Sequence, residues 1–267
     1  MTCLRKFRHP ASLASAAAIS LFLCASALAA DPPEPQAELA VAADDGWEFA
    51  VAPYGWLASM DGTVAQFGLP PVNVDASFGD ILENLDFSAM VVAEARRGRF
   101  GIFTDIIYTA VSVSGSGPLG VFTASLDNQQ FVGTAMAEYR VVEQGQSSVD
   151  VMAGARIWAV NTDVSITAGL GGGLSFSDDA SWVDPMIGVK ARMQGGSPWY
   201  LTTWAMIGGF GVSSDFAWDL LGVAGYEVND RFSFVAGYRA AGVDYQDGPF
   251  ILDIVMSGPI IGGVIRF

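Results

Sequence analysis

The side chains that most often carry out chemistry in proteins lie in the first 30 positions of this sequence. His9 is the only histidine, and Cys3 and Cys24 are the only cysteines. From Asp31 onward the chain therefore cannot build a Ser-His-Asp or Cys-His arrangement, nor a metal site with imidazole or thiolate ligands. The glycine-rich run from Gly169 to Gly173 lacks the Lys-Ser/Thr of a phosphate-binding loop. We predict no bound cofactor and no metal.

Carboxylates remain as candidates for catalysis. Asp105 with Glu94 or Asp150 could form an acid and base pair of the kind that glycoside hydrolases use. The charged face of all the strands together carries as many bases as acids, seven of each, so we interpret these carboxylates as salt-bridged structural groups and predict no enzymatic activity. Other acids lie in predicted loops, without EF-hand spacing, and we interpret them as solvated surface charges: Asp61, Asp75, Asp80, Glu83, Asp86, Asp178 and Asp179.

The N-terminus resembles an export signal. Basic residues precede position 9, an apolar run extends from about Ala11 to Cys24, and Ala27-Leu28-Ala29 offers a small-x-small cleavage site. The run is shorter than the roughly 20 apolar residues of a membrane-spanning helix. We predict a signal peptide over residues 1–29, cleavage near Ala30, and a flexible, proline-containing periplasmic segment over residues 30–46.

The composition is apolar and acidic. Hydrophobic residues make up 51% of the sequence, and the formal net charge is −15. Removing the predicted signal takes away three of the 13 basic residues, which moves the charge to about −18. Such a charge argues against a nucleic acid as partner.

Residues 47–267 form a regular succession of short β-strands without an internal domain boundary. Tight turns such as Arg97-Gly98-Arg99 alternate with looser links rich in glycine, serine and aspartate. Short turns at one end and longer loops at the other are typical of a transmembrane barrel. We therefore predict an all-β protein, a single closed antiparallel transmembrane β-barrel of about ten strands, with eight or twelve as alternatives. The predicted strands are Trp47–Ala58, Phe87–Arg96, Phe100–Val113, Val121–Val141, Ser148–Thr167, Ser175–Met193, Trp199–Val212, Phe216–Val228, Phe232–Tyr245 and Phe250–Phe267.

Charges within these strands share one parity, and the other parity is apolar. We predict that the charged face lines the lumen as one network of seven acids and seven bases: Glu94, Arg96, Asp105, Glu138, Arg140, Asp150, Arg156, Asp184, Lys190, Arg192, Asp219, Glu227, Arg239 and Arg266. Unpaired charges in a confined space are expensive, so a balanced set indicates a narrow or filled lumen. Four aspartates break the parity near the long-loop ends, where strands would project beyond lipid: Asp127, Asp163, Asp244 and Asp253.

The apolar face is predicted to meet lipid, because a lysine or arginine there would cost about 2 to 4 kcal/mol. Aromatic residues near the turn ends of this face would form a girdle at the membrane interface: Phe100, Tyr139, Tyr226, Phe232 and Phe267. Parity alone also fits a soluble barrel with an apolar interior.

One long connection spans residues 59–85. We predict an ordered surface loop, and the spacing of Ile81, Leu82 and Leu85 leaves open a short amphipathic helix. Such a helix would fold over or into the mouth of the barrel.

Two features resemble bacterial outer-membrane proteins. Apolar residues at every second position before a terminal phenylalanine resemble the closing strand of such barrels, in which that residue, here Phe267, is the assembly signal. Four further strings resemble an uncharacterised family of proteobacterial outer-membrane β-barrel proteins, small porin-like or surface-antigen-like barrels: Trp182-Val183-Asp184-Pro185, Ile207-Gly208-Gly209-Phe210-Gly211, Ala236-Gly237-Tyr238-Arg239 and Ser257-Gly258-Pro259. The chain departs from that pattern at Met206, where an acid is common. The resemblance implies a fold and supplies no substrate.

Three functions are compatible with these observations. The first is a structural or surface-exposed barrel in the outer membrane of a Gram-negative bacterium, whose partners are lipid, lipopolysaccharide and the barrel-assembly machinery. The second is a narrow passive channel for small solutes, and the third is a soluble periplasmic barrel that binds an apolar ligand. The sequence predicts no oligomeric state.

Overall fold

The computed structural model describes residues 46–116, 122–168 and 172–267. The predicted signal peptide and all but the last residue of the predicted periplasmic segment lie outside these ranges. The described chain consists of twelve β-strands and one short helix: β1 (Glu48–Trp56), β2 (Ser59–Ala65), β3 (Val72–Ala76), α1 (Phe78–Glu83), β4 (Leu85–Arg97), β5 (Phe100–Ser116), β6 (Phe122–Gln144), β7 (Ser147–Ala168), β8 (Gly173–Gln194), β9 (Trp199–Gly208), β10 (Phe216–Asn229), β11 (Phe232–Asp247) and β12 (Phe250–Arg266). Within the described residues, no helix has the length and apolar character needed to cross a bilayer.

The strands form one antiparallel sheet that closes on itself. β1 pairs with β4, and each strand from β4 to β11 pairs with the next one along the chain. The ring closes where β1 pairs with β12, and Ala50 lies opposite Arg266 at this closure. Ten strands therefore make up the ring, and the predicted closed barrel is confirmed.

The long connection was predicted wrongly in part. Residues 59–85 contain β2, β3 and α1, where a surface loop was expected. β2 continues the line of β1 and pairs with the outer half of β12, and β3 pairs with β2. The open alternative, a short helix, is present as α1, with Ser77 as its N-cap. The period-2 pattern of β2 is hidden from sequence analysis because Asp61, Gly62 and Thr63 lie at its centre.

Strand heights differ around the ring. β6, β7 and β8 have 23, 22 and 22 residues, whereas β9 has 10. β9 was predicted to reach Val212 but ends at Gly208, because Gly209 and Phe210 adopt positive φ angles that turn the chain out of the sheet.

Candidate functional site: the barrel interior

Burial alternates along the strands, so the two faces of the sheet meet different surroundings. On β5, Phe103, Asp105 and Ile107 are buried, whereas Phe100, Ile102 and Ile106, at the alternate positions, are exposed. The same alternation runs along β7, β8 and β10. Because the sheet is closed, the buried face is the interior. Many large hydrophobic side chains lie on the exposed face, among them Phe100, Ile102 and Ile187.

The aspartates that break the parity lie on the exposed face at the long-loop end. Asp127 is directly opposite Asp163, and Asp244 is directly opposite Asp253. All four are exposed. Like charges in directly opposed positions destabilise a sheet unless water solvates them. They therefore mark where the apolar outer band ends.

The middle of the interior holds the central network, defined as Tyr54, Asp105, Thr134, Arg156, Trp204, Asp219 and Arg239. Arg239 Nη2 lies 2.6 Å from Asp105 Oδ2 and 2.7 Å from Asp219 Oδ2. Arg156 Nη2 lies 2.7 Å from Asp219 Oδ2 as well. Two bases thus meet two acids that come from opposite walls of the barrel.

Neutral side chains complete the hydrogen bonding of this network. The Tyr54 hydroxyl donates to Asp105 Oδ1 at 2.7 Å and accepts from Arg239 Nη1 at 2.8 Å. Trp204 Nε1 donates to Asp219 Oδ1 at 2.8 Å. Tyr54 and Trp204 were not predicted as members of the network. β9 carries no charged residue and β1 carries only Glu48, so charge parity gives no signal for either side chain.

A second group, the lower network, lies closer to the short turns and consists of Glu94, Arg96, Glu138, Arg140, Asp150 and Lys190. Lys190 Nζ on β8 lies 2.6 Å from both Glu94 on β4 and Glu138 on β6. Arg96 Nη2 lies 2.6 Å from Glu138 and 3.1 Å from Asp150. Three acids and three bases balance one another here, so this part of the interior holds no excess charge.

A third group, the mouth triad, lies nearest the short turns and consists of Arg192, Glu227 and Arg266. The two guanidinium groups share Glu227 Oε1, at 2.9 Å from Arg192 Nη2 and 3.5 Å from Arg266 Nη1. Unlike the other two groups, the triad has more bases than acids.

Asp184 is the one predicted network residue to which the structure gives no ion pair within the described residues. Its carboxylate accepts hydrogen bonds from the Ser214 N–H at 2.8 Å, the Ser214 hydroxyl at 2.7 Å and Trp182 Nε1 at 3.1 Å. Ser214 belongs to the β9–β10 loop, so Asp184 holds this loop inside the barrel. The thirteen other predicted network residues all make ion pairs, divided among the three groups rather than joined in one.

The interior is closed toward the long-loop end. Trp158, Trp182 and Tyr245 form a stack, with ring centroids 5.6 Å and 3.8 Å apart. Above it, the link between β2 and β3 reaches the opposite wall, where the Phe67 N–H donates to Asp178 Oδ2 at 2.5 Å. The β2–β3 hairpin therefore covers the outer mouth.

The interior is open toward the short-turn end. A cavity of about 740 Å³, the vestibule, reaches from the turn residues Gln146 and Asp230 inward to Phe103 and Trp204. Within residues 46–116, 122–168 and 172–267, no group of three or more acidic, histidine or cysteine residues is arranged to hold a metal ion.

The predicted aromatic girdle lies near the short turns, where Phe100 and Tyr139 contact each other at 5.1 Å between ring centroids. Trp199, which was not predicted, contacts Tyr226 at 5.0 Å in the same way. Phe267 is 75% exposed, and its N–H donates to the carbonyl of Phe49 at 2.9 Å.

Comparisons with known proteins reveal a likeness of fold. No protein-family model and no curated protein matches the chain. The outer membrane protease OmpT from Escherichia coli has a TM-score of 0.53 and 10% identity, over 84% of this chain and 98% of that one. The translocator domain of the autotransporter NalP from Neisseria meningitidis has a TM-score of 0.41 and 14% sequence identity, over 83% of this chain and 89% of that one. Neisserial surface protein A has a TM-score of 0.34 and 14% sequence identity, over 83% of this chain and 99% of that one. The similarity to OmpT shows that this chain has the fold of an outer-membrane β-barrel.

Proposed function

We propose that the protein is an integral outer-membrane β-barrel with a structural or surface-exposed role, whose interior does not conduct. The observation that carries this proposal is the position of Arg239, which is 1% exposed and bound to carboxylates of β5 and β10. Buried charges held by several partners leave no aqueous path at this height. The aromatic stack and the β2–β3 hairpin add two further obstacles above it.

Membrane location is supported by the apolar outer face and by the exposed aspartate pairs that end it. Fractionation tests it. The protein should stay in the outer membrane after a salt wash and migrate differently in gels before and after heating. Recovery in the soluble periplasmic fraction would favour the soluble barrel instead. Lipid, lipopolysaccharide and the assembly machinery are the proposed partners, and membership of the proteobacterial family stays a prediction.

Conductance tests the closed interior. Purified protein in planar bilayers should give no discrete current steps. As a control, Arg239→Ala combined with Trp204→Ala removes the central obstacle and should raise leakage, whereas Arg99→Gln on an exposed turn should not. Regular current steps from the unmodified protein would contradict the proposal and support the passive channel.

The absence of catalysis is supported by the partners of the candidate carboxylates. Asp105 is bound by Arg239 and Tyr54, and Glu94 and Asp150 are bound by bases of the lower network. A carboxylate whose oxygens are already bound by cations and a hydroxyl is not free to exchange a proton with a substrate. OmpT is a protease, so peptide hydrolysis is the activity to test. Cleavage that Asp105→Asn abolishes in a folded barrel would contradict this part of the proposal.

A further inference from the structure

The vestibule differs from the rest of the interior because its two walls have different chemistry. Strands β4 and β8 supply charged side chains over the depth of the cavity, whereas β10, β11 and β12 supply aliphatic side chains in its deeper part and charged ones, Glu227 and Arg266, only nearest the short turns. The aliphatic lining consists of Leu221, Val223, Val235, Ile260 and Val264. A cavity with one charged and one apolar wall suits a molecule that has both characters.

The basic side chains of the vestibule differ in the number of carboxylates that they contact. Lys190 and Arg96 each contact two or more carboxylates of the balanced lower network. Arg192 and Arg266 share one carboxylate, Glu227, and Arg192 Nη2 also donates to Gln194 Oε1 at 2.6 Å. Their side chains remain 26% and 27% exposed. Among the described ion-pair groups of the interior, the mouth triad is thus the one that has more bases than acids. This local excess of positive charge occurs in a chain whose net charge is −15.

The excess cation is held in a defined position. The Arg192 guanidinium carbon lies 3.6 Å from the centre of the Tyr200 ring. That ring lies across Gly225, since a Cβ at this position would be 2.0 Å from Tyr200 Cζ. Arg266 also has a buried nitrogen, Nη2, without a hydrogen-bond partner. A preordered guanidinium pair of this kind matches the two oxygens of a carboxylate.

The apolar wall begins directly behind these cations. Val264 lies two residues from Arg266 on the same face of β12, about 7 Å deeper along the strand. Ile260 continues the same face farther in, and both side chains line the vestibule. A carboxylate bound at the mouth would therefore place its apolar body against β12 and β11.

We propose that the vestibule binds a small amphiphilic carboxylate, with its anionic group on Arg192 and Arg266 and its hydrocarbon part on the aliphatic wall. The site faces the short-turn end, which is periplasmic in outer-membrane barrels. This proposal needs the barrel interior as described and is independent of whether the barrel conducts.

Calorimetric titration of octanoate into the protein in lipid nanodiscs tests the proposal, with empty nanodiscs as the blank for partitioning. We expect one saturable site per chain. Hexanoate should bind about 15-fold more weakly, since each methylene contributes about fourfold. The neutral analogue 1-octanol should show no saturable binding beyond the blank.

Two substitutions at the triad should act in opposite directions. Arg192→Gln should weaken octanoate binding at least tenfold, because a charge-assisted hydrogen bond is lost. Glu227→Gln should tighten binding severalfold, because it frees both guanidinium groups. Arg99→Gln removes a cation at the same end of the barrel but outside the vestibule, and should change nothing. Heat-modifiable migration confirms that each variant is folded.

Three outcomes would overturn the proposal. One is the absence of saturable octanoate binding. Another is an equal effect of Arg192→Gln and Arg99→Gln, which would indicate attraction to the surface alone. The last is weaker binding by a folded Glu227→Gln variant, since removal of the acid must leave more cation available.

Discussion

Arg239 on β11 reaches Asp105 on β5 through the interior, with 2.6 Å between Nη2 and Oδ2, although these strands are not neighbours in the ring. The two side chains are 1% and 2% exposed. Hydrogen bonds between adjacent strands hold the wall of the barrel together, and this ion pair holds opposite walls together. Its removal should therefore affect the whole barrel.

Replacing Arg239 by methionine should destabilise the barrel by about 3 to 5 kcal/mol, because Asp105 and Asp219 are left buried without this cation. Urea unfolding in lipid vesicles, followed by tryptophan fluorescence, measures the change. Arg99→Gln, on an exposed turn, should cost less than about 0.5 kcal/mol. A loss no larger than that of the control would mean that water reaches and solvates the central network.

Gly237 and Gly222, on adjacent strands, should differ in their tolerance of alanine. A Cβ on Gly237 would lie 2.0 Å from the Gly222 carbonyl oxygen, whereas the atom nearest a Cβ on Gly222 is 4.0 Å away, on Thr203. Gly237→Ala should therefore greatly lower the yield of heat-modifiable folded protein, and Gly222→Ala should leave it unchanged. Equal yields would show that β10 and β11 can separate enough to admit a methyl group.

The β2–β3 hairpin should be close enough to β8 for a disulfide. Phe67 and Asp178 are joined by a 2.5 Å hydrogen bond between backbone and side chain, and cysteines at both positions should form a bridge under oxidising conditions. The bridge would be visible as a change in gel mobility that reductant reverses. The pair Val72→Cys and Asp178→Cys, with one cysteine on β3, is the control and should stay reduced. Bridging in the control alone would place the hairpin differently.

The N-terminus of α1 should be sensitive to acid. Hydrogen bonds from the Ser77 hydroxyl, and then from the Ser77 N–H, lower the pKa of Asp80 below its ordinary value of 3.8. A lowered pKa in the folded state stabilises the cap above the ordinary pKa, and this contribution is lost as the pH falls through the lowered value. NMR titration of the Asp80 carboxyl carbon should give a midpoint below 3.8. Ser77→Ala should move that midpoint upward, and an unchanged midpoint would contradict the capping role.

The closed barrel and most of its strands could be predicted from the sequence because the alternation of apolar and charged residues is a local signal with period 2. The predicted strand Phe216–Val228 corresponds to β10 (Phe216–Asn229) within one residue. The strand pair β2 and β3 could not be predicted in the same way. Pro70 and Pro71 lie in the link between them and made the whole segment resemble a loop.

The list of charged interior positions followed from parity, but the grouping of these positions did not. Which acid meets which base depends on the height of each strand in the ring, as Arg239 and Asp105 illustrate, and strand height is set by register between chain segments that are far apart. The same reason explains Asp184. Its partner Ser214 reaches the interior only because β9 ends early and the following loop turns inward.

β12 pairs with β11 along its whole length, and its other edge is divided between β1 and β2. The contacts that complete the ring therefore join the first described strands to the last one, and their contact order is close to the greatest that this chain permits. Loop-closure entropy opposes such contacts, so we expect them to form late and slowly. Until they form, every partly folded chain presents two unpaired sheet edges, which are templates for aggregation. We therefore expect closure of the seam between β12 and the β1–β2 line to be the slowest step of folding.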